Sequence, residues 1–230
     1  MNTKIATKPI RTDESAVSEV RGRSSLSDTD TLFWRIRARL ESKPEQGQII
    51  AMTSCSRASG VSTLLANLSV QAAKNHMGPV LLVDANFTAP RQHRLFRHKT
   101  TLGLVDVMVG SVPPHEAIFP TNVESLDIIP SGLPSNLKTA RVISVYAEEM
   151  FHWARERYAL IVVDLPQIDE LRHGLMVARQ ADMVLVAIRS NSVRRSYAVK
   201  CVERLTGDGV KVAGSILSRQ TQYTPTFLRG

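Results

Sequence analysis

Two runs, Val80-Leu81-Leu82-Val83-Asp84 and Leu160-Ile161-Val162-Val163-Asp164, constrain this chain more than any other feature. Each is unbroken apolar sequence ending in a carboxylate. A strand that is apolar on both faces must be covered on both faces, as in the inner strands of a parallel sheet wrapped by helices. A strand with one wet face would alternate apolar and polar residues instead. The surrounding pattern agrees. Residues 48–53, 80–84, 126–129, 160–164, 183–187 and 210–217 read as strands. Residues 62–75, 104–109, 139–157, 174–180 and 193–205 read as the intervening helices. Aromatic residues make up only 5% of the chain, so Val, Leu, Ile and Ala must fill the core. The expected architecture is a single α/β domain: a doubly wound, mostly parallel sheet with helices on both faces. Such sheets bind ligands beyond the carboxyl ends of their strands. The functional residues are therefore expected just after Thr53, Val83 and Val163.

The flanks differ in composition. Residues 1–29 are rich in Ser, Thr, Asp, Glu and Arg and read as a flexible arm. Residues 30–219 make the domain, and 220–230 a tail. Asp28, Thr29 and Asp30 are N-cap candidates for a helix over 31–42, with Leu32, Phe33, Ile36 and Leu40 as its apolar stripe. Arg35, Arg37 and Arg39 surround that stripe. The net charge of +8 suits phosphate ligands, anionic lipid or nucleic acid, and a solvated basic face accounts for it equally well. The cysteines, Cys55 and Cys201, are far apart in sequence and match no metal or redox spacing, as in a reduced, cytosolic chain. No apolar run approaches the roughly 20 residues of a membrane helix. The first residues lack the apolar core of a signal peptide. A role at a membrane is thus expected to need a partner.

Residues 53–63, Thr-Ser-Cys-Ser-Arg-Ala-Ser-Gly-Val-Ser-Thr, link the first strand directly to a helix. This is the position and register of a phosphate-binding P-loop. Such a loop points backbone N–H groups at phosphate beside the positive end of a helix. Gly60 allows close backbone approach, Ser62 offers a hydroxyl to magnesium, and Thr63 follows it. Val61, however, stands where the phosphate-binding lysine belongs, and a plain strand–turn–helix fits the same residues. Asp84 and Asp164 add two strand-end carboxylates on the same sheet edge. Together with Ser62 they are the hard oxygen ligands a magnesium–nucleotide site needs. Each of these aspartates alone could equally cap the segment after it.

From about residue 31 to 219 the chain resembles the cytoplasmic domain of the bacterial tyrosine kinases of capsule and exopolysaccharide assembly. Those kinases are part of the wider MinD/ParA-like group of P-loop ATPases. The likeness rests on Thr53-Ser54, Gly60, Ser62-Thr63 and Ala66-Asn67-Leu68, then on Asp84-Ala85-Asn86, Pro90-Arg91 and His93 to Phe96. It continues through Gly103 to Val107, Leu126 to Gly132, Tyr158 to Pro166, Ala178 to Asp182 and Gly214 to Arg219. The resemblance implies a P-loop fold with ATP or ADP and Mg as ligands. It implies Gly60, Ser62, Thr63, Arg57 and Arg219 on the nucleotide, Ser62, Asp84 and Asp164 on Mg, and Asp84 and Asp164 as the catalytic carboxylates.

Departures from the family pattern fall inside the site. Lysine is replaced by Val61, the loop's inner glycine by Ala58, and the second aspartate of an Asp-Ala-Asp segment by Asn86. Leu165 and Gln167 stand after Asp164 in place of Thr and Pro, and Ser218 in place of an Asn. The family's ring-assembly residues on the first helix are reduced to Arg37, with Thr31 and Trp34 in the other places. One tyrosine, Tyr223, stands where the kinases carry a cluster. A unit charge about 4 Å from a phosphate charge is worth roughly 4 kcal/mol at an effective dielectric near 20. After screening, losing the lysine costs about 2–4 kcal/mol, or roughly 30- to 1000-fold in affinity. Arg57 could restore part of this.

Three functions follow from the resemblance. The first is a pseudo-kinase that regulates or scaffolds exopolysaccharide export on the cytoplasmic tail of a membrane-embedded co-polymerase, held peripherally at the inner membrane face and open to homo-oligomerisation. The second is a divergent but active tyrosine kinase or ATPase. The third is a ParA-like, DNA-associated positioning protein, to which Arg194 and Arg195 lend basic charge. Positioning proteins cycle on ATP, so Val61 disfavours nucleic acid as the partner.

Overall fold

The computed structural model describes residues 26–40, 45–99, 101–133, 140–189 and 192–218. In chain order its main elements are α1 (Leu26–Arg37), β1 (Gln48–Ser54), α2 (Val61–Lys74), β2 (Val80–Asp84), α3 (Gln92–Leu95) and α4 (Leu104–Met108). There follow β3 (Phe119–Pro120), β4 (Leu126–Ile129), α5 (Ala140–Arg155), β5 (Leu160–Asp164), α6 (Gly174–Ala178), β6 (Met183–Arg189), α7 (Arg195–Gly207) and β7 (Val212–Ser218). Short 3-10 turns cover Pro114–Glu116 and Ile168–Glu170.

The strands form one seven-stranded sheet in the order β3-β4-β2-β5-β1-β6-β7. All pairs are parallel except β3 with β4. The mostly parallel, doubly wound sheet anticipated from the apolar runs is therefore present. β5 inserts between β1 and β2, so the chain reverses its direction of winding beside β1. That switch point is where sheets of this class hold ligands.

The apolar strands serve two cores. Ile49, Leu81, Val83, Ile161 and Val163 face one, packed with α4 to α7. Ile50, Met52, Leu82, Leu160 and Val162 face the other, under α1 and α2. The strand period of two divides each run between the two faces, so neither face tolerates a polar residue.

α1 departs from the expected helix over 31–42. It begins at Leu26, inside the stretch read as an arm, and ends at Arg37. Asp28, Thr29 and Asp30 thus lie within the helix and do not cap it. Among the described side chains of α1, Thr29, Phe33 and Ile36 are buried, at helical spacing, and Asp30 accepts a hydrogen bond from Gln71 on α2. Packing on α2 decided the start of the helix over the capping preference of Asp and Thr. Beyond it, Arg39 Nη1 donates to the Ala213 carbonyl on β7 (3.0 Å). The edge strand β3, the short helix α3 and the 3-10 turns were not anticipated, being too short to carry a period. Among the described residues, no helix is long and apolar enough to cross a membrane.

Candidate functional site

β2 and β5 run side by side in register, with Asp84 opposite Asp164. β1 lies on the other side of β5, with Met52 opposite Asp164. The two carboxylates that end the apolar runs thus meet at one sheet edge, beside the loop that follows β1. Both are fully buried.

Asp84 is committed to the backbone. Its Oδ1 accepts from Asn86 N (3.2 Å), and its Oδ2 accepts from Arg91 N and Gln92 N (2.9 Å each). Asn86 shapes the same turn, its Oδ1 accepting from Ala89 N at 3.1 Å. Asp164 Oδ2 accepts from Gln92 Nε2 (2.8 Å). Asp164 Oδ1 is buried without a partner. Gln92 Nε2 also donates to the Ser62 carbonyl (3.1 Å). One glutamine therefore ties the ends of both strands to the first turn of α2.

Two carboxylates in a dry site cannot both ionise freely. Burial, and then the neighbouring Asp164, push Asp84 well above the ordinary carboxylate range, against three N–H donors that pull it down. Burial also raises Asp164, opposed by Ser62, Gln92 and the nearby Arg91 charge. Lying opposite each other at the strand ends, the two are coupled and titrate as a pair.

The loop between β1 and α2 holds two left-handed residues, Ala58 and Gly60. Gly60 caps α2 with φ of +84°, and nothing lies within 4 Å of a Cβ built there. Ala58, in place of glycine, still holds the left-handed φ of +55°, at a cost of roughly 1 kcal/mol. Val61 is 7% exposed and packs into the α2-side core. Ser62 is buried and Thr63 half-buried. The Ser56 hydroxyl is buried without a partner. Arg57 is exposed and pairs with Glu170 on the 168–170 turn, Nε to Oε1 at 3.0 Å. Arg219 and Tyr223 lie outside the described residues.

The fold also brings together what the spacing kept apart. Cys55, buried in the loop, meets Cys201 of α7. Burial, reinforced by Cys201, pushes the Cys55 thiol up to about 12, so it stays protonated and is no nucleophile. Sequence reasoning missed Gln92, Ser56 and Glu170. Only the first carried a signal, its place directly after the Pro90-Arg91 pair. Among the described residues, no group of three or more His, Cys, Asp or Glu side chains is arranged to hold a metal ion.

No family model matches the chain. Over 200 residues it is 25% identical to the tyrosine-protein kinase CpsD of Streptococcus agalactiae, a match covering 86% of each chain. It is 29% identical over 196 residues to the tyrosine-protein kinase YwqD of Bacillus subtilis, covering 82% of each. Against the tyrosine-protein kinase wzc of Salmonella typhimurium it is 26% identical over 173 residues, 75% of this chain but 24% of that one. In fold it resembles the kinase domain of the Escherichia coli tyrosine kinase ETK, with a TM-score of 0.78 and 20% identity over 96% of this chain and 88% of that one. MinD of Pyrococcus horikoshii, complexed with Mg-ADP, gives a TM-score of 0.61 and 24% identity over 74% and 70% of the two chains. This chain is a homologue of the bacterial tyrosine-protein kinases, built on the fold they share with the MinD-like P-loop ATPases.

Proposed function

We propose that this protein is a pseudo-kinase: a regulatory or scaffolding component of exopolysaccharide export that acts with a membrane-embedded co-polymerase. The observation that carries the reading is Val61. At the position of the phosphate-binding lysine the side chain is apolar and packed into the core, so no cation rises from the loop to meet a phosphate. Arg57, the candidate substitute, is paired with Glu170.

The remaining parts of the site fit a phosphate better than a magnesium ion. Backbone N–H groups at the start of α2, the left-handed Gly60 and the unpartnered Ser56 hydroxyl suit a phosphate group. The carboxylate pair does not fit a divalent cation as arranged. Asp84 accepts from three N–H groups, and Gln92 Nε2 holds Asp164 Oδ2, so only Asp164 Oδ1 of the pair is without a donor. Weak, largely magnesium-independent binding of ATP or ADP is the expected residue of the ancestral site. Phosphoryl transfer depends on metal and lysine charge in the transition state, so it suffers more than binding.

The partner surface is basic. Arg91, Arg94 and Arg97 are exposed around α3, and α1 presents Trp34, Arg35 and Arg37. These suit an acidic cytoplasmic tail, with an on-rate that falls as salt rises. The purified chain should neither hydrolyse ATP measurably nor label itself. Radiolabel transfer to Tyr223 that vanishes in Asp84→Ala would reject the pseudo-kinase. In the cell, deleting the gene should shorten or reduce the exported polysaccharide, and Val61→Ala should complement it. A deletion strain with normal polysaccharide, or a pull-down that recovers DNA and no membrane co-polymerase, would favour a positioning protein.

A further inference from the structure

Gln92 has a position that a phosphate loop does not require. Its side chain is fully buried, and it contacts three elements at once. Its backbone N donates to Asp84 Oδ2 at the end of β2, and its Nε2 donates to Asp164 Oδ2 at the end of β5 and to the Ser62 carbonyl in α2. Both oxygens that Nε2 faces are acceptors, so the amide orientation is fixed: a flip would set Oε1 against them. Both amide hydrogens are thereby used. Gln92 Oε1 and Asp164 Oδ1 remain buried and unpartnered in the same cluster.

A buried carboxylate must be met by a cation or by donors. Here a neutral amide from the same chain meets it, at the place where strand-end carboxylates and the α2 serine converge. We propose that Gln92 is the latch that closes the carboxylate pair to divalent cations. This rests on the pseudo-kinase reading of the site and extends it: the missing lysine weakens nucleotide binding, whereas Gln92 excludes the metal. The latch also predicts selectivity. A cation can take both oxygens of Asp164 only if the amide leaves, so metal uptake depends on residue 92 even with no nucleotide present.

The test uses the full chain at pH 8 without nucleotide, with Mn2+ as probe, read by electron paramagnetic resonance of free Mn2+ and by thermal melting. The wild-type chain should take up no Mn2+ at millimolar concentration, and its melting temperature should not move. Gln92→Glu keeps the side-chain shape, removes both donors and adds a carboxylate. It should melt below wild type without metal, recover on adding Mn2+, and bind at least about tenfold more tightly than wild type. Adding Asp164→Asn to that variant should abolish the gain. Gln92→Ala, which only removes the donors, should show a smaller gain and serves if the glutamate variant does not fold. Wild-type chain that binds Mn2+ as tightly as either variant, or a folded variant as indifferent to Mn2+ as wild type, overturns the latch. Phosphate transfer by the wild-type chain would instead sink the pseudo-kinase reading. Mn2+ uptake without nucleotide bears on Gln92 alone.

Discussion

Replacing Asp164 by Asn should make the folded chain more stable at pH 9 and leave it nearly unchanged at pH 5. Asp164 is fully buried opposite Asp84, and its Oδ1 has no partner. Both carboxylates are raised, first by burial, so the folded state holds a proton that the unfolded chain has already released. The native state then binds more protons than the unfolded state above about pH 4, and stability falls as pH rises through the raised pKa values. At pH 5, below both raised values, Asp164 is mostly protonated, and Asn mimics it. At pH 9 the wild-type pair must carry two charges, and Asn removes one. The desolvation cost of a buried charge is several kcal/mol. Ser62 and Gln92 offset part of it, leaving a net gain of about 1–3 kcal/mol for the variant. For a chain of this size that is a rise of roughly 3–10 °C in melting temperature. Asp84→Asn should do the reverse, because an amide cannot accept from all three N–H donors; a loss of about 1–3 kcal/mol is expected. Melting followed by circular dichroism at both pH values, without metal or nucleotide, measures this. An Asp164→Asn chain less stable than wild type at pH 9, or equally stabilised at pH 5 and pH 9, would refute the buried-pair argument.

Val61→Lys should lower the melting temperature of the free chain, by about 1–3 kcal/mol for polar atoms forced into a packed site. ATP should restore it, and calorimetry should show affinity improved by roughly 30-fold or more. Turnover should stay negligible, because Asn86 and Gln92 remain. Arg155→Ala should cost about 1–3 kcal/mol in a urea melt, since its guanidinium bonds both oxygens of Asp182 at 2.8 Å and the Gly47 (2.6 Å) and Gln180 (3.1 Å) carbonyls. Arg155→Lys should recover little of that, having no planar fork. Gly47→Ala should cost about 3 kcal/mol or more by the same assay, because its Cβ would lie 1.8 Å from the Tyr158 carbonyl, a backbone atom that cannot step aside.

The sequence by itself determined the class of sheet, the division of each strand between two cores and the edge where the site lies. These follow from local pattern: an unbroken apolar run needs cover on both faces, and a carboxylate at its end marks the edge. It also determined that residue 61 brings no charge to the loop, since no packing can supply a cation that Val61 does not have. Tertiary structure decided the rest. Whether β2 neighbours β5 depends on the winding of the whole sheet, and only that pairing turns two separate aspartates into one buried, coupled pair. The same packing moved α1 toward the N-terminus, set Cys55 against Cys201 and turned Arg57 to Glu170. Gln92 illustrates the difference most directly. In sequence it is one polar residue in a polar stretch with no period to report its burial. In the fold its amide meets β2, β5 and α2 together, because contacts between distant segments exist only after the sheet has formed.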